Sequence, residues 1–107
     1  MNDSNYQRIS EDFLNMVQES LEEADAKGLL ELEEGPDSVS IIAPSGKQLL
    51  LSKHRINKQL WLSSPMTGGH HFSYDDATSA WLLKDGRSLS VMLSEEIFAL
   101  CGVKVTL

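Results

Sequence analysis

Apolar residues recur at spacings of three and four near the start of the chain: Tyr6, Ile9, Phe13, Met16, Val17, Leu21 and Ala24. That period predicts an amphipathic helix over residues 5–25. Ser4 is the expected N-cap, and Gly28 stands where a C-terminal glycine would. From Leu29 the period changes to two. Leu30 and Leu32 alternate with Glu31 and Glu33, as in a half-buried strand. Further strands are expected over residues 39–42, 48–52, 59–63, 70–74 and 80–83. Turns at Gly35-Pro36-Asp37, Pro44-Ser45-Gly46 and Lys84-Asp85-Gly86 divide them, and residues 64–69 read as a breaker-rich loop. A second helix is expected over residues 88–100. Leu89, Met92, Leu93, Ile97 and Leu100 form its core face, Ser88 its cap and Gly102 its end. Residues 103–107 read as extended. The order helix, five or six strands, helix predicts an α+β fold. It is a two-layer α-β sandwich with both helices on one face of an antiparallel sheet. The 107 residues are expected to form one domain.

Charge changes this picture, because it is uneven. Residues 1–34 hold ten acids against two bases, and the remaining residues are nearly neutral, within a total of −7. By the predicted period, Glu11, Asp12, Glu19, Glu22 and Glu23 fall on the outer side of the first helix, with Asp25 at its margin. Glu31 and Glu33 are expected to point the same way from the following strand. An acidic edge attracts cations or a basic protein surface. It argues against nucleic acid and against an anionic membrane, which need clustered Lys and Arg. No apolar run reaches membrane-spanning length, and the N-terminus resembles neither a secretory signal nor a transit peptide. Cys101 is the only cysteine, so neither an internal disulfide nor a cysteine metal cage can form. A cytoplasmic setting is expected.

The chemistry these residues can support is limited. No nucleophile–base pair or phosphate loop stands out. His70 and His71 would point to opposite faces of a strand, which disfavours their sharing one ion. His54 reads as solvated, and Cys101 as a small core residue. Carboxylates such as Glu19, Glu22 and Glu23 are hard ligands suited to Mg, Ca, Mn or iron. On an open surface without His or Cys they would bind weakly, and a merely solvated face remains an alternative. Trp61 shares a strand face with Gln59 and Ser63, opposite Leu60 and Leu62. On the sheet face left uncovered by helices it would suit a protein contact; packed inward, with the leucines outside, it would be a core residue.

The run Asn57-Lys58-Gln59-Leu60-Trp61-Leu62-Ser63-Ser64-Pro65, followed by Gly68-Gly69-His70-His71-Phe72, resembles the central signature of the frataxins. Trp81 before Lys84-Asp85-Gly86 matches their next landmark. The opening Met1-Asn2-Asp3-Ser4 is similar to the bacterial, CyaY-type members. The resemblance implies a role in iron–sulfur cluster assembly. It further implies binding to the cysteine desulfurase and its scaffold protein, and weak iron binding by an acidic ridge. Carried over by position, that ridge is Glu19, Glu22, Glu23, Asp25, Glu31 and Glu33, with Glu11 and Asp12 as additions. The partner surface is Asn57, Gln59 and Trp61, with His71 on the neighbouring strand. Gln18, Lys27 and Leu29 stand where bacterial relatives often carry acids. The family's earlier Asn-Lys/Arg-Gln-x-Pro block is replaced here by Ser52-Lys53-His54-Arg55-Ile56.

The resemblance therefore implies an iron-binding adaptor that regulates the desulfurase, monomeric unless iron drives oligomers. Two alternatives stand beside it. One is a ferroxidase or iron-storage protein, although the chain lacks the Glu-x-x-His pairs of di-iron centres. The other is an acidic interaction module with no iron dependence.

Overall fold

The computed structural model describes all 107 residues. Chain order is α1 (Asp3–Ala24), β1 (Glu31–Glu34), β2 (Ser38–Ile42), β3 (Gln48–His54), β4 (Gln59–Ser64), β5 (Gly68–Asp75), β6 (Ala80–Leu82) and α2 (Leu89–Cys101). The six strands form one antiparallel sheet in sequence order, β1-β2-β3-β4-β5-β6. Short turns between consecutive strands produce this meander without crossovers.

One layer of contact holds the sandwich together. Leu14, Val17 and Leu21 of α1 and Leu89, Leu93 and Ile97 of α2 share a buried cluster with sheet residues such as Ile41, Leu51 and Leu62. Each fully buried Leu or Ile contributes about 1.5–3 kcal/mol from burial. Every second residue of β3 and β4 is buried, as a half-covered sheet requires: Leu49, Leu51 and Lys53, then Leu60 and Leu62. Trp81 on β6 is buried. It meets Tyr6 of α1 edge-on at 6.2 Å and Tyr74 of β5 at 5.2 Å, which ties the helix to the far sheet edge.

The predicted architecture is present, with local differences that have physical causes. The N-cap of α1 is Asn2, whose Oδ1 accepts from the Asn5 N–H at 2.7 Å, so the helix begins before Ser4. It ends at Asp25, which acts as the C-cap. Gly28 lies beyond it with φ +65° in the turn to β1. The expected loop over residues 64–69 is short. β4 runs through Ser64 and β5 begins at Gly68, because the Ser64 hydroxyl accepts the N–H groups of Met66 and Thr67 and closes the turn. β3 extends two residues further than expected, to His54. Ser88 caps α2 through the Val91 N–H. Gly102 closes it in the left-handed region, φ +73°, where a side chain would be strained. Residues 103–107 form no regular element, although Val103 and Val105 are buried.

Candidate functional site

The acidic residues of the first third do not act as one set. On α1, Asp12, Glu19, Glu22 and Glu23 are exposed and pair with no cation. Glu19, Glu22 and Glu23 stand at i, i+3 and i+4, where like charges repel across one turn. Two other acids are committed to the fold. Glu11 pairs with the ammonium of Lys53, whose side chain is fully buried beneath α1. Asp25 accepts the N–H of Leu29 at 2.8 Å and of Leu30 at 2.7 Å, so both its oxygens clamp the α1–β1 turn.

The strand acids also differ from expectation. Leu32 pairs with buried Ile41 and packs against the core beneath the helices. Glu31 and Glu33 pair with Ile42 and Ser40, so strand alternation turns them to the opposite, helix-free face. They therefore do not point the same way as the α1 acids. The carboxylates occupy two layers that meet at the β1 edge. No three His, Cys, Asp or Glu side chains converge on one point. Such a set fits a hydrated, exchangeable cation rather than an enclosing site.

The helix-free face carries the second cluster. Trp61 of β4 lies between two imidazoles. His54 of β3 stacks at 3.9 Å with 6° between planes, and His71 of β5 at 3.9 Å with 9°. His71 is the direct cross-strand partner of Trp61, and His54 reaches it diagonally, being paired with Gln59. The indole N–H donates to Gln59 Oε1 at 2.9 Å, and the Gln59 amide donates to Ser73 Oγ at 3.2 Å. The ring is thus fixed by two stacks and one hydrogen bond. Asn57, in the turn before β4, lines an open groove of about 890 Å³ with Gln59 and His71. The structure thus brings together all four residues expected at the partner surface.

His54 was expected to be solvated, and it is not: it is half-buried in the stack, and its Nδ1 is buried with no hydrogen-bond partner. The missed signal was the alternation of β3, which places Gln48, Leu50, Ser52 and His54 on the outer face once the strand continues past Ser52. His70 and His71 do point to opposite faces. His70 Nε2 lies 2.8 Å from Thr67 Oγ1, and His71 is exposed. Cys101 closes α2, half-buried, with its Sγ 3.0 Å from the Ile97 carbonyl oxygen.

Beside α1, the Arg55 guanidinium donates to Asp37 at 2.7 Å and holds its carboxyl below the usual range. Burial pushes the Tyr6 phenol up, and its hydroxyl donates to the Gln59 carbonyl at 2.7 Å, joining α1 to β4.

The chain matches the frataxin-like domain family model over residues 1–103. It is 31% identical, over all of both chains, to the iron–sulfur cluster assembly protein CyaY of Thioalkalivibrio sulfidiphilus. It is 33% identical to mitochondrial frataxin of Dictyostelium discoideum, of which it covers 44% of the length. Among solved structures, frataxin from Psychromonas ingrahamii superposes with TM-score 0.88 at 21% identity, covering 99% of this chain and 97% of that one. Trimeric yeast frataxin, complexed with ferrous iron, superposes with TM-score 0.74 at 25% identity over 86% of this chain and 84% of that one. No helix is long and apolar enough to cross a membrane.

Proposed function

The chain belongs to the frataxin family, and from that premise we propose that it is an iron-binding adaptor of iron–sulfur cluster assembly. It docks on the cysteine desulfurase and its scaffold protein in the cytoplasm and regulates sulfur delivery. The observation that carries this reading is the shared face of Glu31, Glu33 and Trp61. The edge strand supplies free carboxylates and the fourth strand a fixed, half-exposed indole, on one helix-free surface. A partner lying across the sheet would meet an acidic margin and an aromatic anchor, the arrangement that favours steered, specific docking.

Iron enters as cargo or effector. Asp12, Glu19, Glu22, Glu23, Glu31 and Glu33 offer carboxylate oxygens with no competing cation, and hard oxygen donors suit Fe²⁺ that keeps much of its water. Glu11 and Asp25 contribute charge, but Asp25 has both oxygens engaged and Glu11 has one held by Lys53. The dispersed donors support an adaptor over a ferroxidase, because oxidation at a di-iron centre needs several ligands aimed at one place. Three glutamates on the edge strand β1 disfavour strand-to-strand pairing, in keeping with a monomer.

The test is capture of the desulfurase across a salt series, with and without Fe²⁺. The triple variant Glu19→Lys, Glu22→Lys, Glu23→Lys and the variant Trp61→Ala should each weaken capture. Capture that ignores salt and both variants would remove the proposal. Capture that responds to them but not to Fe²⁺ would leave an acidic adaptor without iron dependence.

A further inference from the structure

A separate groove, of about 710 Å³, opens between the β4–β5 turn and α2. Met66 and Thr67 line it from the turn, and Val91, Glu95, Glu96 and Ala99 from the helix. Much of the lining is apolar, and Met66 and Val91 are left 42% and 60% exposed beside it.

Glu96 is the anomaly. It is only 6% exposed, yet no cation pairs with it. Its Oε1 accepts two hydroxyls, Ser64 at 2.9 Å and Thr67 at 2.6 Å. Its Oε2 is buried and has no partner at all. Because Thr67 spends its one proton on Glu96, the contact between Thr67 Oγ1 and His70 Nε2 at 2.8 Å requires the histidine to donate. That imidazole proton is thereby used as well. Arg87, the guanidinium that borders the groove, is paired with Asp85 at 2.9 Å. A buried carboxylate oxygen without a donor is costly, and a charged donor offsets that cost best. Glu95 adds a second negative charge to the lining.

We propose that this groove binds a small organic cation, a primary alkylammonium. Its head donates to the Glu96 carboxylate, which turns Oε2 out of its buried position to accept, and its stem lies along Met66 and Val91. The ammonium supplies three donors and the stem covers the exposed apolar side chains. The volume lies in the range of small-molecule pockets. The proposal does not depend on the iron or docking reading, since it uses neither α1 nor the Trp61 face.

The test is an NMR amide titration of the whole chain with n-pentylammonium, with 1-pentanol as the uncharged probe of the same length. Saturable shifts are expected at Thr67, Val91, Glu95, Glu96 and Ala99. Binding of the ammonium should be tighter than that of the alcohol by about tenfold or more, the ratio a charge-assisted hydrogen bond supports. Glu96→Gln should erase that preference. Should that variant fail to fold, Val91→Lys, at an exposed position, places a tethered ammonium at the groove and should block the free one. Equal binding of the alcohol, shifts confined to residues 19–33, or an unchanged preference in these variants would overturn the proposal.

Discussion

Replacing Glu11 by alanine would strand a buried ammonium. Lys53 lies on the core-facing side of β3 with Leu49 and Leu51, its side chain is fully buried, and Glu11 is its one ion-pair partner. Removing one partner of a buried pair costs about 3–5 kcal/mol, whereas an exposed pair is worth about 0–1 kcal/mol. This pair lies between those limits. The Glu11 side chain is 46% exposed, so water reaches the carboxylate, and the lysine can shift its head toward the opening it leaves. The expected cost is about 2 kcal/mol, or a Tm lower by about 8–16 °C for a domain of this size. Lys53→Met removes the charge and keeps the apolar stem. It should cost less than Glu11→Ala, and the double variant should recover much of the single-variant loss. Urea and thermal unfolding of the four proteins at neutral pH close the cycle. A Glu11→Ala loss under about 0.5 kcal/mol, or a Lys53→Met loss as large as that of Glu11→Ala, would refute the reasoning.

Asp25→Ala should raise hydrogen exchange at Leu29 and Leu30 and cost about 1 kcal/mol, the scale of a lost side-chain cap; unchanged exchange would show that the clamp is dispensable. His54→Ala should bare one side of Trp61, shift its emission to the red and cost about 0.5–1.5 kcal/mol, while buried Trp81 reports no change. Asp37 has a depressed folded-state pKa, so its stabilisation is present above the unfolded pKa and is lost as pH falls through the folded one. An NMR titration should place its midpoint below the usual carboxylate range, and Arg55→Ala should return it there. The unpaired α1 acids should make Tm rise with salt at neutral pH, and less so below about pH 4, where carboxylates protonate.

Periodicity was enough to place both helices, because 3.6 and 2 are strong signals when one side of each element is buried; it set Trp61 opposite Leu60 and Leu62 but left open which of the two faces the helices cover. It could not say which layer an outward residue joins. The α1 acids and the pair Glu31 and Glu33 are both outward, yet one set caps the helix layer and the other lies on the bare sheet, a distinction set by the turn geometry at Asp25. Nor does a one-dimensional pattern report diagonal neighbours, so the contact of His54 with Trp61 was hidden behind a strand end placed two residues early. Glu96 was legible in principle. It stands at i+3 from Leu93 and i+4 from Met92, on the margin of the α2 core stripe, where a carboxylate needs partners. The frataxin signature identified the family through residues 57–72, a segment the structure shows to be the β4–β5 hairpin and its leading turn.

The division of the carboxylates bears on how the proposed docking would work. β1 and β4 are three strand spacings apart, about 14 Å. That exceeds the screening length of about 8 Å at physiological salt. A charge on the partner held against Trp61 therefore gains little from Glu31 and Glu33, and the acidic margin cannot tighten the seated complex much through that contact. Its field acts on the approaching partner instead, where many weak attractions sum and orient the encounter. Trp61, pinned by His54, His71 and Gln59, loses little freedom on contact and so holds the complex once formed. Salt and acid-to-lysine variants should then act on the association rate, and changes at Trp61 on the dissociation rate. A surface-binding experiment that resolves the two rates separates these roles. Lysine variants of the ridge that mainly speed dissociation would mean that the partner seats directly on the carboxylates.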